Sequence, residues 1–420
     1  YGGSGWSTAQ GEGDFPYSLL EGDDLLPEVS LGIIPGWGGT QRLPRLIGLQ
    51  QSIPLIVSGK SVVAKKAMKI NMVDDLYSDV FIEEKLPQFI DFVLSSKGRL
   101  YIKKKRRLRG VINLLLERTF LGQFIIKFFS KKSILSKTKG FYPAPFVALN
   151  SIFYGFNRSL RKGLKKEINL FEPLISSSIS KHLVRLFFVQ QELKKDRGSQ
   201  SDNEHSPKSI RHATVLGAGF MGGAIGWLLS YRKIPVFLKD INWASISKGY
   251  ESAYSIYQQL LKIRKIKPGQ ASQCMLQISG NIDYQGLHKT DLVIEAVVED
   301  MAIKQSVFKE IESHVSKETI LATNTSSLSV TEMSQNLKYP ERFIGIHFFS
   351  PVNRMPLVEI IPGEKTSEAT IIDTVNFVKK LKKTPIVVKN CPGFLVNRIL
   401  IPYVNEAIFC LQDGASIEQV

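Results

Sequence analysis

"ATVLGAGFMGGAIGWLLS", Ala213 to Ser230, decides how the second half of this 420-residue chain is read. Gly217, Gly219 and Gly222 stand there in G-x-G-x-x-G spacing. Alone that spacing is weak, because glycines punctuate many loops. Here it follows an apolar strand, Ala213 to Leu216, and opens an apolar helix, which is the context a phosphate cradle needs. Gly217 permits the tight turn, Gly219 lets backbone N–H groups approach a pyrophosphate, and Gly222 allows close helix–strand packing.

A second strand-like run, "IPVFLKD", ends on Asp240, at the distance expected of an acid that binds ribose hydroxyls. An acid there disfavours a 2′-phosphate, so the predicted cofactor is NAD rather than NADP. From Ile210 to about Lys389 further runs alternate with helical stretches: "DLVIEAVV", "TILATNTS", "RFIGIHFF" and "TPIVVKN". That alternation predicts an α/β fold with a doubly wound, mainly parallel sheet of Rossmann type. The segment "GFLVNRILIPYVNEAIFCLQDGASIEQV" reads as the start of a further helical region.

Composition bounds the rest. The chain has room for two or three domains. Lys plus Arg total 55 against 38 Asp plus Glu, a net charge of +17, which suits an anionic partner: nucleic acid, an acidic membrane surface or a phosphorylated substrate. Cys274, Cys391 and Cys410 show neither metal nor disulfide spacing, so no metal site is predicted and a reducing, cytoplasmic setting is expected. No apolar run is long enough to span a bilayer and no signal peptide is visible. The chain opens at Tyr1 rather than Met and stops within a helical stretch, so it is expected to be a piece of a longer protein, truncated at both ends.

"IGIHFFSPVNRMPLVEII", Ile344 to Ile361, is a largely apolar, strand-like run with one histidine, His347, and one acid, Glu359. A lone His is usually a satisfied core residue, and the alternative is a His held by a Glu as a proton acceptor. The stretch does not choose between them. Its neighbours do: with "DLVIEAVVEDMAIK", "LATNTSSLSV" and "PGFLVNRILIPYVNEA", it resembles the 3-hydroxyacyl-CoA dehydrogenase family over Ile210 to Val420. The resemblance implies that His347 accepts the 3-hydroxyl proton of an acyl-CoA thioester while Glu359 orients the ring. It implies that Ser326 and Asn397 position the substrate, and that Glu299 and Lys304 lie on the nicotinamide side of the cofactor site. Ser326 could also be a turn serine, Asn397 a helix-capping amide, and Glu299 with Lys304 a solvated pair. Ser350 departs from many single-function members, which carry Asn there, and is similar to the multifunctional β-oxidation branch.

At the front, "LPEVSLGIIPGWGGTQRLPRLIG" and "SGKSVVAKKAMKINMVDDL" resemble the enoyl-CoA hydratase/isomerase (crotonase) family. Glu28 matches one of that family's two catalytic glutamates. The upstream segment "YGGSGWSTAQGEGDF" does not match, and Thr8 sits about where the partner acid should be. Glu28 is therefore expected to be a relic in this chain.

The predicted organisation is a partial crotonase region over 1–95, a basic helical linker over 96–207 ending in the polar tether "SQSDNEHSPKS", the NAD-binding domain over 208–390, and the beginning of a helical C-terminal domain over 391–420. This order resembles multifunctional β-oxidation proteins, which implies a thiolase β subunit as partner in a hetero-oligomer. The competing expectation is a catalytically weak or inactive fragment that acts only as a binding module. The basic run from Lys103 to Arg107, followed by Phe120, Phe124, Phe128 and Phe129, reads either as a solvated basic face or as a peripheral contact with an acidic membrane. Attraction of polyanionic CoA is a third reading, and nucleic acid is not expected because no base-reading module is present.

Overall fold

In the computed structural model, residues 27–59, 62–77, 79–105, 111–199 and 205–420 are described. The chain divides into two compact units, Tyr1–Gln190 and Gln191–Val420.

The described part of the first unit is helical. Helices Gly39–Ile47, Leu49–Ser58, Phe120–Thr138 and Ala144–Phe156 surround a core that includes Ile34, Ile53, Ile56, Ile134, Ala148, Leu149 and Ile152. Small residues let the backbones approach: a Cβ on Gly155 would stand 1.7 Å from Gln41 Oε1. A carboxylate from helix Leu160–Ile175 closes the start of helix Gly39–Ile47. Buried Glu167 accepts from Gly38 N at 2.6 Å, from Thr40 N at 3.0 Å and from the Thr40 hydroxyl. These N–H groups belong to "GWGGT", so the front motif is held by a side chain 129 positions away. The boundary expected at residue 95 consequently does not separate two cores: the helices read as a linker share one with the crotonase-like stretch.

Helix Phe120–Thr138 turns Gly122 and Ile134 inward and leaves Phe120, Leu121, Phe124, Phe128 and Phe129 exposed. Arg106 and Arg107 of the basic run lie outside the described residues, as do Thr8 and the whole "YGGSGWSTAQGEGDF" segment. Among the described residues no helix is long and apolar enough to cross a membrane.

The second unit is built on eight strands: β1 Ala213–Leu216, β2 Val236–Lys239, β3 Ile278–Asn281, β4 Leu292–Glu295, β5 Ile320–Thr323, β6 Phe343–Phe348, β7 Leu357–Pro362 and β8 Thr384–Val387. They form one sheet in the order β3-β2-β1-β4-β5-β6-β7-β8. All neighbours are parallel except β6 and β7. Central strands β1, β4, β5 and β6 are buried at every position, as helices on both faces of a parallel sheet require. The α/β, doubly wound expectation holds. Two strands are additions to it. Short, half-polar "ISGN" gives no apolar run for β3, and the single strand-like stretch Ile344–Ile361 is two antiparallel strands, β6 and β7, joined by a loop whose turn lies at Val352–Arg354.

The composition of the polar tether "SQSDNEHSPKS" reads as that of a solvated segment. Residues 200–204 lie outside the described residues, but both flanks are bound to helix Glu368–Lys380. Lys379 Nζ donates to Lys194 O at 2.9 Å, and Asp373 Oδ1 lies 2.8 Å from His205 Nε2 and accepts from Lys208 N at 2.9 Å.

Candidate active site

Strand β1 delivers the chain to Gly217, whose φ of 91° is left-handed and whose Cβ, if it had one, would meet Ala296 O at 2.6 Å. A Cβ on Gly222 would stand 1.8 Å from Gly217 O, so the turn and the first turn of helix Phe220–Tyr231 are in backbone contact. Gly219 differs. Nothing lies within 4 Å of the space its Cβ would take, and it caps the N-terminus of a 12-residue helix. That open, donor-lined approach fits a pyrophosphate. At the end of β2, Asp240 Oδ2 accepts from Ala218 N at 2.7 Å and Oδ1 from Ile241 N at 2.7 Å. The carboxylate is thereby fixed beside the cradle, where it fits ribose hydroxyls and repels a 2′-phosphate. The residues present suit NAD.

His347 on β6 and Glu359 on β7 are opposite members of the antiparallel register. His347 Nδ1 lies 2.8 Å from Glu359 Oε2; the ring is 7% exposed and the carboxylate fully buried. With Glu359 as acceptor, Nδ1 carries the hydrogen and Nε2 keeps a free lone pair. The other oxygen, Oε1, accepts from Leu395 N at 3.0 Å and Val396 N at 2.8 Å, at the start of helix Val396–Gln412. Burial pushes the Glu359 carboxyl up, and the His347 contact with the two N–H groups outweighs it, leaving its pKa below the usual range. Phe349 and Phe394 pack on the imidazole with centroids at 4.5 Å and 5.8 Å.

Ser326 follows β5. Its N and Oγ both donate to Glu299 Oε1, at 2.8 Å and 3.1 Å, and Thr325 Oγ1 donates to the same oxygen at 2.6 Å. Asn397 Nδ2 donates to Ser326 O at 3.3 Å, and Asn324 Oδ1 accepts from Phe348 N at 2.9 Å. These bonds tie the β5 loop to β6 and to the last helix, so His347, Glu359, Ser326 and Asn397 belong to one connected set.

Glu299 and Lys304 are not a solvated pair. Lys304 is 1% exposed, with Nζ 2.6 Å from Glu295 Oε1 and 3.2 Å from Glu299 Oε2. Burial raises the Glu299 carboxyl, but hydrogen bonds from Thr325 and Ser326, with the Lys304 charge, bring it below the ordinary value. Glu295, Asn324 and Phe394 escape sequence reasoning. The one available signal is an acid inside the apolar run "LVIEAVV".

In the other unit, Glu28 occupies the short helix Pro27–Leu31. Its Oε2 is buried without a hydrogen-bond partner among the described residues, and burial raises its pKa.

Residues 212–391 match the NAD-binding domain model of 3-hydroxyacyl-CoA dehydrogenase, and residues 393–420 match the model of its C-terminal domain. The fatty acid oxidation complex subunit alpha of Shewanella sp. (strain ANA-3) is 39% identical over 396 residues, covering 94% of this chain and 54% of that protein. Its counterpart from Vibrio vulnificus (strain CMCP6) is 40% identical with the same coverage. The chain thus spans about half the length of the curated relatives it matches. Among solved structures, M. tuberculosis FadB2 is 31% identical with a TM-score of 0.50, over 51% of this chain and 76% of that one. (S)-3-hydroxybutyryl-CoA dehydrogenase PaaH1 from Ralstonia eutropha is 40% identical with a TM-score of 0.49, over 50% and 75%. Residues 212–420 of the chain thus belong to the 3-hydroxyacyl-CoA dehydrogenase family, with its NAD-binding domain and the beginning of its C-terminal domain.

Proposed function

We propose that the chain carries the NAD-dependent oxidation of L-3-hydroxyacyl-CoA to 3-ketoacyl-CoA in fatty-acid β-oxidation. The observation that carries this reading is His347, whose Nδ1 lies 2.8 Å from Oε2 of buried Glu359. NAD⁺, when bound, supplies the hydride acceptor. Nε2 takes the proton of the 3-hydroxyl, and Glu359 stabilises the imidazolium that results. Ser326 and Asn397 orient the thioester, Glu299 borders the nicotinamide side, and Gly217, Gly219, Gly222 and Asp240 hold the dinucleotide.

The proposed domains are the partial crotonase region 1–95, the basic helical linker 96–207, the NAD-binding domain 208–390 and the start of a helical domain over 391–420. Enoyl-CoA hydration with Glu28 as one acid and assembly with a thiolase β subunit are proposed for the longer protein. Peripheral contact of the exposed Phe120–Phe129 face with acidic lipid is a further proposal. It is tested by co-sedimentation with acidic vesicles at moderate salt, and absence of binding removes it.

The test of the main reading is NADH formation from L-3-hydroxyacyl-CoA and NAD⁺ by wild type and His347→Gln. Turnover that disappears in the variant while NADH still binds supports it. Equal rates overturn it, and NADH binding without turnover in the wild type favours a binding module.

A further inference from the structure

The glycine cradle and the His347–Glu359 pair lie at the carboxyl ends of the strands. At the opposite, amino edge of the sheet a cavity of about 530 Å³ opens between the residues that precede β1, β4, β5 and β6 and the N-terminus of helix Glu368–Lys380. Arg342, directly before β6, lies in its wall and is 5% exposed. Its Nη1 donates to Ser316 O and to Thr319 O, the latter at 3.1 Å, and its Nη2 donates to Glu312 Oε1 at 3.2 Å. The Nε is buried and has no partner among the described residues. His288 and Lys289, before β4, and Lys317, before β5, line the same cavity and are exposed. Among the described residues their side chains make no hydrogen bond or ion pair.

Most of the acids around this cavity are already neutralised. Asp373 holds the His205 ring and Lys208 N, and Glu318 Oε2 accepts from Lys208 Nζ at 2.7 Å. Asp291 Oδ2 accepts from Arg211 N at 2.8 Å and from His212 N at 2.9 Å. Exposed Glu341 is left to oppose two lysines, a histidine and the free edge of a guanidinium.

We propose that this cavity binds a diphosphate group, free or carried by a nucleotide, at a site separate from the dinucleotide cradle. A buried donor without an acceptor is costly, and a bound phosphate oxygen would supply the acceptor that Arg342 lacks. The N-terminus of a 13-residue helix faces the same space and favours negative charge. Lys289 and Lys317 come from separate loops, so their charges are spread, which suits two linked phosphates better than one. The volume lies within the range of about 300–1,000 Å³ usual for small-molecule sites. One wall is the segment His205–Ile210, already bonded to helix Glu368–Lys380 through Asp373, so a ligand there would fasten that segment further.

The test is calorimetric titration of the 420-residue chain with inorganic pyrophosphate and with ADP, each at saturating NADH so that the cradle is filled. Wild type is compared with Lys289→Glu/Lys317→Glu, and with Lys131→Glu/Lys132→Glu, which makes the same change of net charge in the other unit. Both variants should bind NADH as wild type does, which shows that they are folded. Wild type should bind pyrophosphate, and the first variant should lose on the order of tenfold or more in affinity, since it sets like charges against the ligand. The second variant should bind as wild type does. Tighter binding of ADP than of pyrophosphate would identify a nucleotide as the ligand, and comparable binding the diphosphate alone. Hydrogen exchange of residues 205–210 should slow on binding in wild type. Absence of binding at saturating NADH, an undiminished affinity in the first variant, equal losses in both variants or unchanged exchange on binding would each overturn the proposal.

Discussion

His347 and Glu359 are twelve positions apart in the chain and directly opposite each other across β6 and β7, 2.8 Å between Nδ1 and Oε2. Glu359 is shared: one oxygen holds the imidazole, the other holds the first N–H groups of helix Val396–Gln412, the helix that carries Asn397. The carboxylate that holds the imidazole therefore also aligns the helix bearing Asn397.

His347→Gln should lower turnover by about 10²–10⁴-fold, the usual contribution of a general base, with NADH affinity unchanged. Glu359→Gln should cost less in rate but more in stability. It weakens hydrogen bonds to a charged group, which contribute about 1.5–3 kcal/mol each. Steady-state kinetics beside thermal unfolding separates the two effects; a Glu359→Gln protein as stable as wild type would contradict the double role.

Acid should unfold the second unit partly through the same group. The folded-state pKa of Glu359 lies below its unfolded value of 4.5, so the native state binds fewer protons than the unfolded chain. Its stabilisation is complete above that value and is lost as pH falls through the lower folded-state pKa. Glu299 acts in the same direction. Urea midpoints followed downward from about pH 6 should fall less steeply in Glu359→Gln than in wild type, and parallel curves would exclude Glu359 as a source.

Two glycines of the cradle should fail in different ways. Gly219→Ala puts a methyl group into open space at an ordinary φ of −72°, so the protein should fold normally and lose about tenfold or more in NADH affinity, roughly 1.4 kcal/mol. Gly222→Ala drives its methyl into Gly217 O and should lose about 1–3 kcal/mol or more of stability. Fluorescence titration with NADH and thermal unfolding of both variants check this; equal destabilisation by the two would refute it.

Lys383 offers an alkaline test. Its Nζ donates to Met355 O at 2.6 Å and to Val352 O, in the loop between β6 and β7, while burial and the nearby Arg232 charge lower its pKa to about 8. Here the unfolded chain, at 10.5, binds the extra proton. Between those two values stability should rise with pH relative to Lys383→Met. Chemical unfolding in alkaline buffers measures the difference, and a flat one would show that the ammonium is not desolvated.

Much of the second unit was legible in the amino-acid sequence because its signals are local. Gly217, Gly219 and Gly222 sit within six residues, and steric rules bind them to one turn. The apolar runs of β1, β4, β5 and β6 reflect burial on both faces of the sheet, while β2 and β8 are apolar but only partly buried. Strand β3 was not legible, since a half-polar tetrapeptide at a sheet edge has no pattern to betray it. The hairpin of β6 and β7 is signalled by Ser350, Pro351, Asn353, Arg354 and Pro356 between its two apolar ends, and reading Ile344–Ile361 as one run passes over that turn.

The sequence by itself determined which groups are available: a glycine cradle, an acid at Asp240, and His347, Glu359, Ser326 and Asn397 in their order. Tertiary structure alone decided which of them meet. A one-residue slip of β6 against β7 would place Glu359 on the opposite face from His347, so the pair exists through register. The Glu295–Lys304–Glu299 line requires β4 beside β5 with a helix returning beneath them. Glu167 reaches "GWGGT" across 129 positions, and the flanks of the polar tether are bonded to Asp373 and Lys379. Charges of this kind are indistinguishable from solvated ones along the chain. Only the fold removes the water and supplies the partner.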